Sequence, residues 1–428
     1  MKKLCFYFQI HQPDRLRVFR FFDIGKDSHY YDDFVNRTIL RRIAQKCYLP
    51  MNKLLLDAIK ESDGKFKLAF SITGSALEQF ERYAPEIIDS FRELAATGSV
   101  EFLCETCNHS LSSLKSENEF KHQVLKHKAT IEKYFGVTPV TFRNTELIYS
   151  NAIGKQVYDM GFKTVLTEGA RHILGWKSPN YVYSNELKSS QKLLLRNYVL
   201  SDDIAFRFAG SGLTAEQFVA RVNAEEGDIV NLFMDYETFG EHQSAETGIF
   251  EFMKALPKVA LAAGIKFVTP AEAVSRLKSV GPLSVPQPIS WADEERDVTA
   301  WLGNELQQDA YNNQKKIRDD AAKDVEKFRK ELEKLGEVKA EPKVDVEAAK
   351  KDIADLKAEY ERLRGEWMDA QKMRNPHKMY DTYEEFAKNV NHHGTLKDLT
   401  YFEEDYEKYL DDMRKRRNEM RQRLIGDE

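Results

Sequence analysis

Ile229-Val230-Asn231-Leu232-Phe233-Met234 runs directly into Asp235-Tyr236-Glu237-Thr238-Phe239-Gly240-Glu241-His242. A short, almost unbroken apolar run is the pattern of a strand covered on both faces, the situation of parallel sheets flanked by helices. The same grammar appears upstream, where Val140 leads into Thr141-Phe142-Arg143-Asn144-Thr145-Glu146-Leu147. Seven strands are predicted, at 3–9, 66–72, 100–104, 140–143, 162–167, 193–199 and 229–234. Amphipathic helical stretches such as 39–60, 77–96, 119–134 and 215–225 lie between them, with glycines such as Gly136 and Gly227 near the helix-to-strand turns. Repeated strand–helix units predict an α/β fold with a parallel sheet, most simply a TIM-like barrel over residues 1–280.

The polar residues support one functional edge. His11, Thr73, Glu105, Glu146, Asp203 and Asp235 each come within a few residues after a predicted strand. A barrel mounts its reactive groups on that rim. An open doubly wound sheet would use the same edge, so the placement leaves closure open. Two carboxylates from separate strand ends are the minimum machinery for cleaving a glycosidic bond, one as nucleophile and one as acid/base. Arg143 lies close enough in sequence to keep Glu146 ionised if the side chains meet. Asp235 and Glu237 share a face if the strand continues through them, and such proximity raises one of the two pKa values. His242 comes within reach if Phe239-Gly240 turns back, which the glycine permits. Trp176, Tyr236, Phe239, Trp291 and Trp301 offer stacking faces for sugar rings or serve as ordinary core. His122 and His127, five apart, do not share a helix face and read as surface residues.

Bulk properties narrow the classes. The 428 residues can hold two domains, and a formal charge of −5 does not favour a nucleic-acid partner. Cys5, Cys47, Cys104 and Cys107 are too few for a disulfide framework. Cys104-Glu105-Thr106-Cys107 with His109 is half of a zinc site, and no second pair completes it, so no metal or other cofactor is expected. Met1-Lys2-Lys3 precedes an apolar stretch too short for a leader, without a small-residue cleavage site, and no run approaches the ~20 apolar residues of a membrane span. The expectation is a cytoplasmic protein with no membrane partner. Pro282, Pro286 and Pro288 mark 281–290 as an extended linker to a charged helical region at 291–428. There Val346, Ala349, Ile353, Leu356, Tyr360, Leu363 and Trp367 form one seam. Val325, Phe328, Leu332 and Leu335 form another, which together predict a helical hairpin, with a further helix at 401–413. The oligomeric state is open.

These motifs closely resemble those of the family 57 glycoside hydrolases of the α-amylase type, over about Lys3 to Tyr311. His11-Gln12-Pro13 is similar to the first family motif and Glu101–His109 to the second. Residues 141–149 resemble the third, and Asp235–His242 the fourth. Trp291-Ala292-Asp293-Glu294-Glu295-Arg296 and Ala300-Trp301-Leu302-Gly303-Asn304 resemble the stretch that returns to the cleft. The resemblance implies an incomplete (β/α)7 barrel followed by a C-terminal all-helical region. It implies Glu146 as nucleophile and Asp235 as acid/base, acting on an α-1,4-glucan such as starch, glycogen or a maltooligosaccharide. Substrate contacts are expected from His11, Gln12, Glu105, His109, Arg143 and Asp203. Further contacts are expected from Tyr236, Glu237, His242, Trp291, Asp293, Trp301 and Asn304. Glucanotransfer or branching through the same intermediate is the alternative, as is a catalytically weak glucan-binding protein. A metal-dependent deacetylase on a similar barrel would need an Asp with histidines one helical turn apart, and no His-x-x-x-His occurs.

Overall fold

The structure, a computed structural model, describes residues 1–18 and 29–313. Its strands are β1 Lys3–Ile10, β2 Leu68–Ile72, β3 Val100–Phe102, β4 Thr141–Arg143, β5 Thr164–Glu168, β6 Tyr183–Asn185, β7 Lys188–Arg196, β8 Ile229–Asp235, β9 Lys266–Phe267 and β10 Pro282–Leu283. One sheet runs β3-β2-β1-β8, all parallel, with β9 beside the start of β1. The other runs β10-β6-β7-β5-β4, in which β4, β5 and β7 are parallel and β6 is antiparallel to β7. A parallel bridge between Cys104 and Phe142 joins the two, so seven parallel strands follow in the order β8-β1-β2-β3-β4-β5-β7.

The ring is incomplete between β7 and β8, which share no ladder. They meet through Asn231, the polar residue inside the apolar run: its carbonyl accepts from Asn197 N–H at 2.9 Å and its side-chain amide donates to the Leu195 carbonyl at 2.9 Å. Asn231 is fully buried: its amide nitrogen is paired, which offsets part of the cost of placing it in the core, while Oδ1 has no hydrogen-bond partner.

Alternation along β1 divides the core. Leu4, Phe6 and Phe8 pack outward against the helices, in a cluster with Leu40, Leu55, Phe80 and Phe91. Cys5 and Tyr7 point inward to Leu103, Leu147, Leu194 and Phe233. Period-two geometry makes this division unavoidable, and it leaves Gln9 inward at the rim.

Two boundaries differ from expectation. The strand expected at 193–199 ends at Arg196, because Asn197 caps the helix Tyr198–Ala205 by accepting from Leu200 N–H at 3.0 Å. The extended segment 281–290 is not a free linker: β10 pairs with β6, Leu283, Val285 and Ile289 are buried, and Ile289 exchanges two backbone hydrogen bonds with Tyr149, at 2.9 and 3.0 Å. The expected hairpin and the helix at 401–413 lie outside the described residues. No helix among the described residues is long and apolar enough to cross a membrane.

Candidate active site

Glu146 leaves β4 in a single tight turn, Thr145–Leu147. Glu146 and Leu147 have φ of +55° and +52°, a left-handed conformation that costs a non-glycine residue on the order of 1–3 kcal/mol. The surroundings impose it. Asn144 donates from its side chain to the Ile148 carbonyl and to Ser113, both at 2.9 Å, while the Glu146 carbonyl accepts from Ser290 Oγ at 2.8 Å and Trp291 N at 3.2 Å. The carboxylate is engaged at both oxygens. His109 Nε2 donates to Oε1 at 2.5 Å and the Trp291 indole N–H donates to Oε2 at 2.8 Å. Burial alone would raise the Glu146 pKa, but the His109 bond and charge, the Arg143 charge and the Trp291 bond outweigh it and hold it at about 2.

His109 stands between two carboxylates, with Nδ1 at 3.5 Å from Glu105 Oε2. Burial works against its charge, yet the hydrogen bonds to Glu105 and Glu146 raise its pKa and favour the doubly protonated ring. His11 stacks on it with centroids 4.1 Å apart and meets Thr73 Oγ1 at 3.1 Å. Burial and then the His109 charge lower His11 to about 4.

Glu105 is fully buried and accepts from Gln9 Nε2 at 3.1 Å and from the Ser71 hydroxyl. Burial opposes its charge, but the His109 bond and the Arg143 charge bring its pKa to about 2. Behind it sits His127, fully buried rather than on the surface. Its Nδ1 accepts the Glu105 N–H at 3.1 Å and its Nε2 donates to the Ile72 carbonyl at 2.8 Å. The helix carrying it, Glu117–Phe135, packs that face against the rim, which spacing to His122 alone does not reveal.

Arg143 and Arg196 flank the ring of Trp291, at 5.0 and 5.6 Å from its centre. Arg196 is satisfied: Nε donates to the Phe233 carbonyl at 2.7 Å, and its other nitrogens reach Glu168 at 3.2 Å and Asp202 at 2.5 Å. Arg143 is buried with no hydrogen bond at any guanidinium nitrogen and pairs with Glu105 at 3.6 Å. Its charge is thereby left to act on Glu105, Glu146 and Asp235 together.

At the other side, β8 ends at Asp235, opposite Gln9 of β1. The chain then makes one tight turn, Tyr236–Thr238, so the strand alternation expected for Asp235 and Glu237 stops. Asp235 lines a cavity of about 710 Å³, whereas Glu237 turns to Gln12 Nε2, at 3.1 Å, and to the Tyr48 hydroxyl. Burial and the Asp235 charge push Glu237 to about 7. Burial, then the nearby negative Glu146, raise Asp235 above its ordinary value, with Arg143 opposing. Gly240, φ +107°, turns the following loop back: a Cβ there would meet the Lys46 carbonyl oxygen at 2.0 Å. His242 thus lines the same cavity as Asp235.

The other expected contacts divide. Trp291 and Asp293 line the cavity, and Asp293 has φ of +54°. Tyr236 is not a sugar face: it is fully buried, donates to Asn52 Oδ1 at 2.5 Å and packs on Phe8 and Phe70. Phe239 is likewise core. Asp203 is turned away, paired with Arg207 and Arg221, both at 2.8 Å, and its neighbour Asp202 lines the cavity instead. One residue along a helix rotates the side chain by about 100°, a difference that counting from a strand end cannot resolve. Trp301 packs against a further core cluster that includes Phe142, Ile153 and Leu193, Asn304 caps a helix by accepting from Gln307 N–H at 2.9 Å, and Trp176 is 92% exposed and does not line the cavity. Arg196 and Arg296 bridge Glu168 and Asp202, and of these only Arg296 belongs to one of the sequence motifs. All four cysteines are free and buried, and no group of three or more metal-ligating side chains is assembled among the described residues.

The model of glycosyl hydrolase family 57 matches residues 5–286. The chain belongs to this family. A protein of Methanocaldococcus jannaschii named "Putative alpha-amylase" is 42% identical over 342 residues, covering 77% of this chain and 70% of that protein. Among solved family 57 structures, the branching enzyme of Thermococcus kodakaraensis superposes with a TM-score of 0.57 at 13% identity, over 73% of this chain and 77% of its own. The 4-alpha-glucanotransferase of Thermococcus litoralis gives 0.54 at 18% identity over 68% of this chain, and the chain spans 43% of that enzyme's length. At such identities the superpositions establish the fold, an incomplete TIM-like barrel of this family.

Proposed function

We propose that this family 57 member cleaves α-1,4-glucosidic bonds by double displacement, with Glu146 as nucleophile and Asp235 as acid/base. The observation that carries the reading is the opposite tuning of two neighbouring carboxyl groups. Glu146 is held ionised at about 2, while Asp235 is shifted toward retaining its proton on a cavity wall.

In the first step the Glu146 carboxylate attacks the anomeric carbon and the bond to the leaving oxygen breaks. Asp235 gives its proton to that oxygen, leaving a glycosyl ester on Glu146 and a carboxylate on Asp235. In the second, an acceptor O–H attacks the same carbon, its proton passes to Asp235, and Glu146 leaves as carboxylate. Water as acceptor gives hydrolysis, and a sugar hydroxyl gives transfer or branching. The His109 imidazolium and the Trp291 N–H stabilise Glu146 in both resting and released states. The charge that passes between the two acids crosses a site already polarised by Arg143.

The names of the relatives, an amylase, a glucanotransferase and a branching enzyme, support an α-glucan substrate and hydrolysis as the first expectation. Incubation of the purified chain with a defined maltooligosaccharide tests this. Shorter products that vanish with Glu146→Gln are expected, and longer products beside them would mark transfer. An untouched oligosaccharide with folded protein would overturn the proposal.

A further inference from the structure

We propose that the cavity on the Asp235 side of the site is the acceptor subsite and that Phe206 is the stacking platform for the acceptor sugar. The inference rests on the assignment of Glu146 and Asp235 above. In a double displacement the acid/base stands on the side where the leaving sugar departs and the acceptor enters. The cavity wall is formed by Asp235, Thr238 and His242 from the β8 end and by the strap from Trp291 to Arg296. Glu146 does not line it and reaches it through its hydrogen bond with Trp291. Its volume of about 710 Å³ falls within the ~300–1,000 Å³ of small-ligand sites.

Phe206 has no packing reason for its position. It closes the helix Tyr198–Ala205, whose Leu200, Ile204 and Ala205 are buried in the main core, yet Phe206 itself is 68% exposed. A single exposed phenylalanine on an open surface would need no explanation. This one lines the cavity that Asp235 lines, where Trp291, Met234, Ala205 and Ala292 supply further apolar surface among polar side chains such as Asp202, Thr238, His242 and Asp293. An apolar face beside hydroxyl-bonding groups matches a pyranose, whose C–H face stacks on an aromatic ring while its hydroxyls reach outward. Phe206 therefore determines which acceptor resolves the glycosyl–Glu146 ester: it favours a sugar over water without touching the bond that breaks first.

The test uses the full chain with a maltosyl fluoride donor, whose leaving group needs no acceptor subsite, and glucose or maltose as added acceptor. With Phe206→Ala the ratio of transfer to hydrolysis is expected to fall about tenfold. Phe206→Trp should restore the ratio. An unchanged ratio in Phe206→Ala, or an equal fall in donor consumption and transfer, overturns the proposal. Binding of maltooligosaccharide to Glu146→Gln, with and without Phe206→Ala, separates this inference from the one beneath it. A tenfold weaker affinity on removing the ring, in a wild-type chain that turns over no donor, would retain the stacking platform and overturn the catalytic reading. Equal affinity in the two variants would overturn the platform itself.

Discussion

The end of β4 and the end of β8 each present a carboxyl group, and they are built in opposite ways. Glu146 sits on left-handed backbone, and both of its oxygens are hydrogen-bonded. Asp235 sits on relaxed extended backbone, φ −67° and ψ 139°, and no described side chain hydrogen-bonds its carboxyl. A group that must remain charged is solvated by fixed protein dipoles, whereas a group that must give and take a proton is left free to meet the substrate. The strain at the β4 end is held by two neighbouring segments, at Ser113 and at Ser290–Trp291, so rigidity is concentrated where charge is stored.

The contrast can be broken first at Glu146. Glu146→Gln should lower turnover of maltooligosaccharide by roughly 10⁴-fold or more, since only binding and electrostatics remain. In that variant the Asp235 pKa should fall, because the negative neighbour is gone while the larger effect of burial remains; carboxyl NMR titration would read this, and an unmoved value would mean that the two acids are not coupled. Next, Asp235→Asn should cost about 10²–10⁴-fold on glucan. The loss should shrink for a donor whose leaving group needs no proton, and an equal loss on both donors would remove Asp235 from the acid role.

Smaller effects sharpen the same comparison. Trp291→Phe deletes one hydrogen bond to a charged carboxylate, worth ~1.5–3 kcal/mol, so kcat should drop about 10- to 100-fold. The acidic limb of the pH–rate profile should move upward from about 2, because the ionised form loses support. His127→Ala strands the buried Glu105 N–H and should lower stability in urea by ~1–3 kcal/mol. In the wild type the depressed Glu105 and Glu146 contribute stability present above their ordinary 4.5 and lost as pH falls toward about 2. Unfolding in urea at stepped pH should follow that sign. Trp176→Ala, exposed and away from both ends, should leave activity unchanged within about twofold.

Much of the rim was legible from local pattern. Apolar runs that end in polar residues place His11, Glu105, Glu146 and Asp235 at strand ends without knowledge of any partner, because strand direction and the side of the rim follow from chain order. His109, Gln12 and His242 were legible from their motifs. The errors share one physical origin. Asp203 pairs with Arg207 and Arg221 while Asp202 lines the cavity, Tyr236 belongs to the core and not to a sugar face, and His127 is buried, where it supports Glu105. Each error concerns the rotation of a side chain about an element, which is set by what packs against that element. Segment 281–290 is extended as its prolines require, but its pairing with β6 depends on a strand nearly one hundred residues earlier.

By itself the sequence determined the parallel strand series, the two acidic motifs at strand ends and the polar interruption at Asn231, since period and turn chemistry act over a few residues. Tertiary structure alone decided that Asn231 would bridge the open seam, that Arg143 would stay unbonded while Arg196 was fully satisfied, and that Phe206 would face the cavity. Those outcomes depend on long-range closure, because burial, charge coupling and cavity walls exist only once distant segments have met.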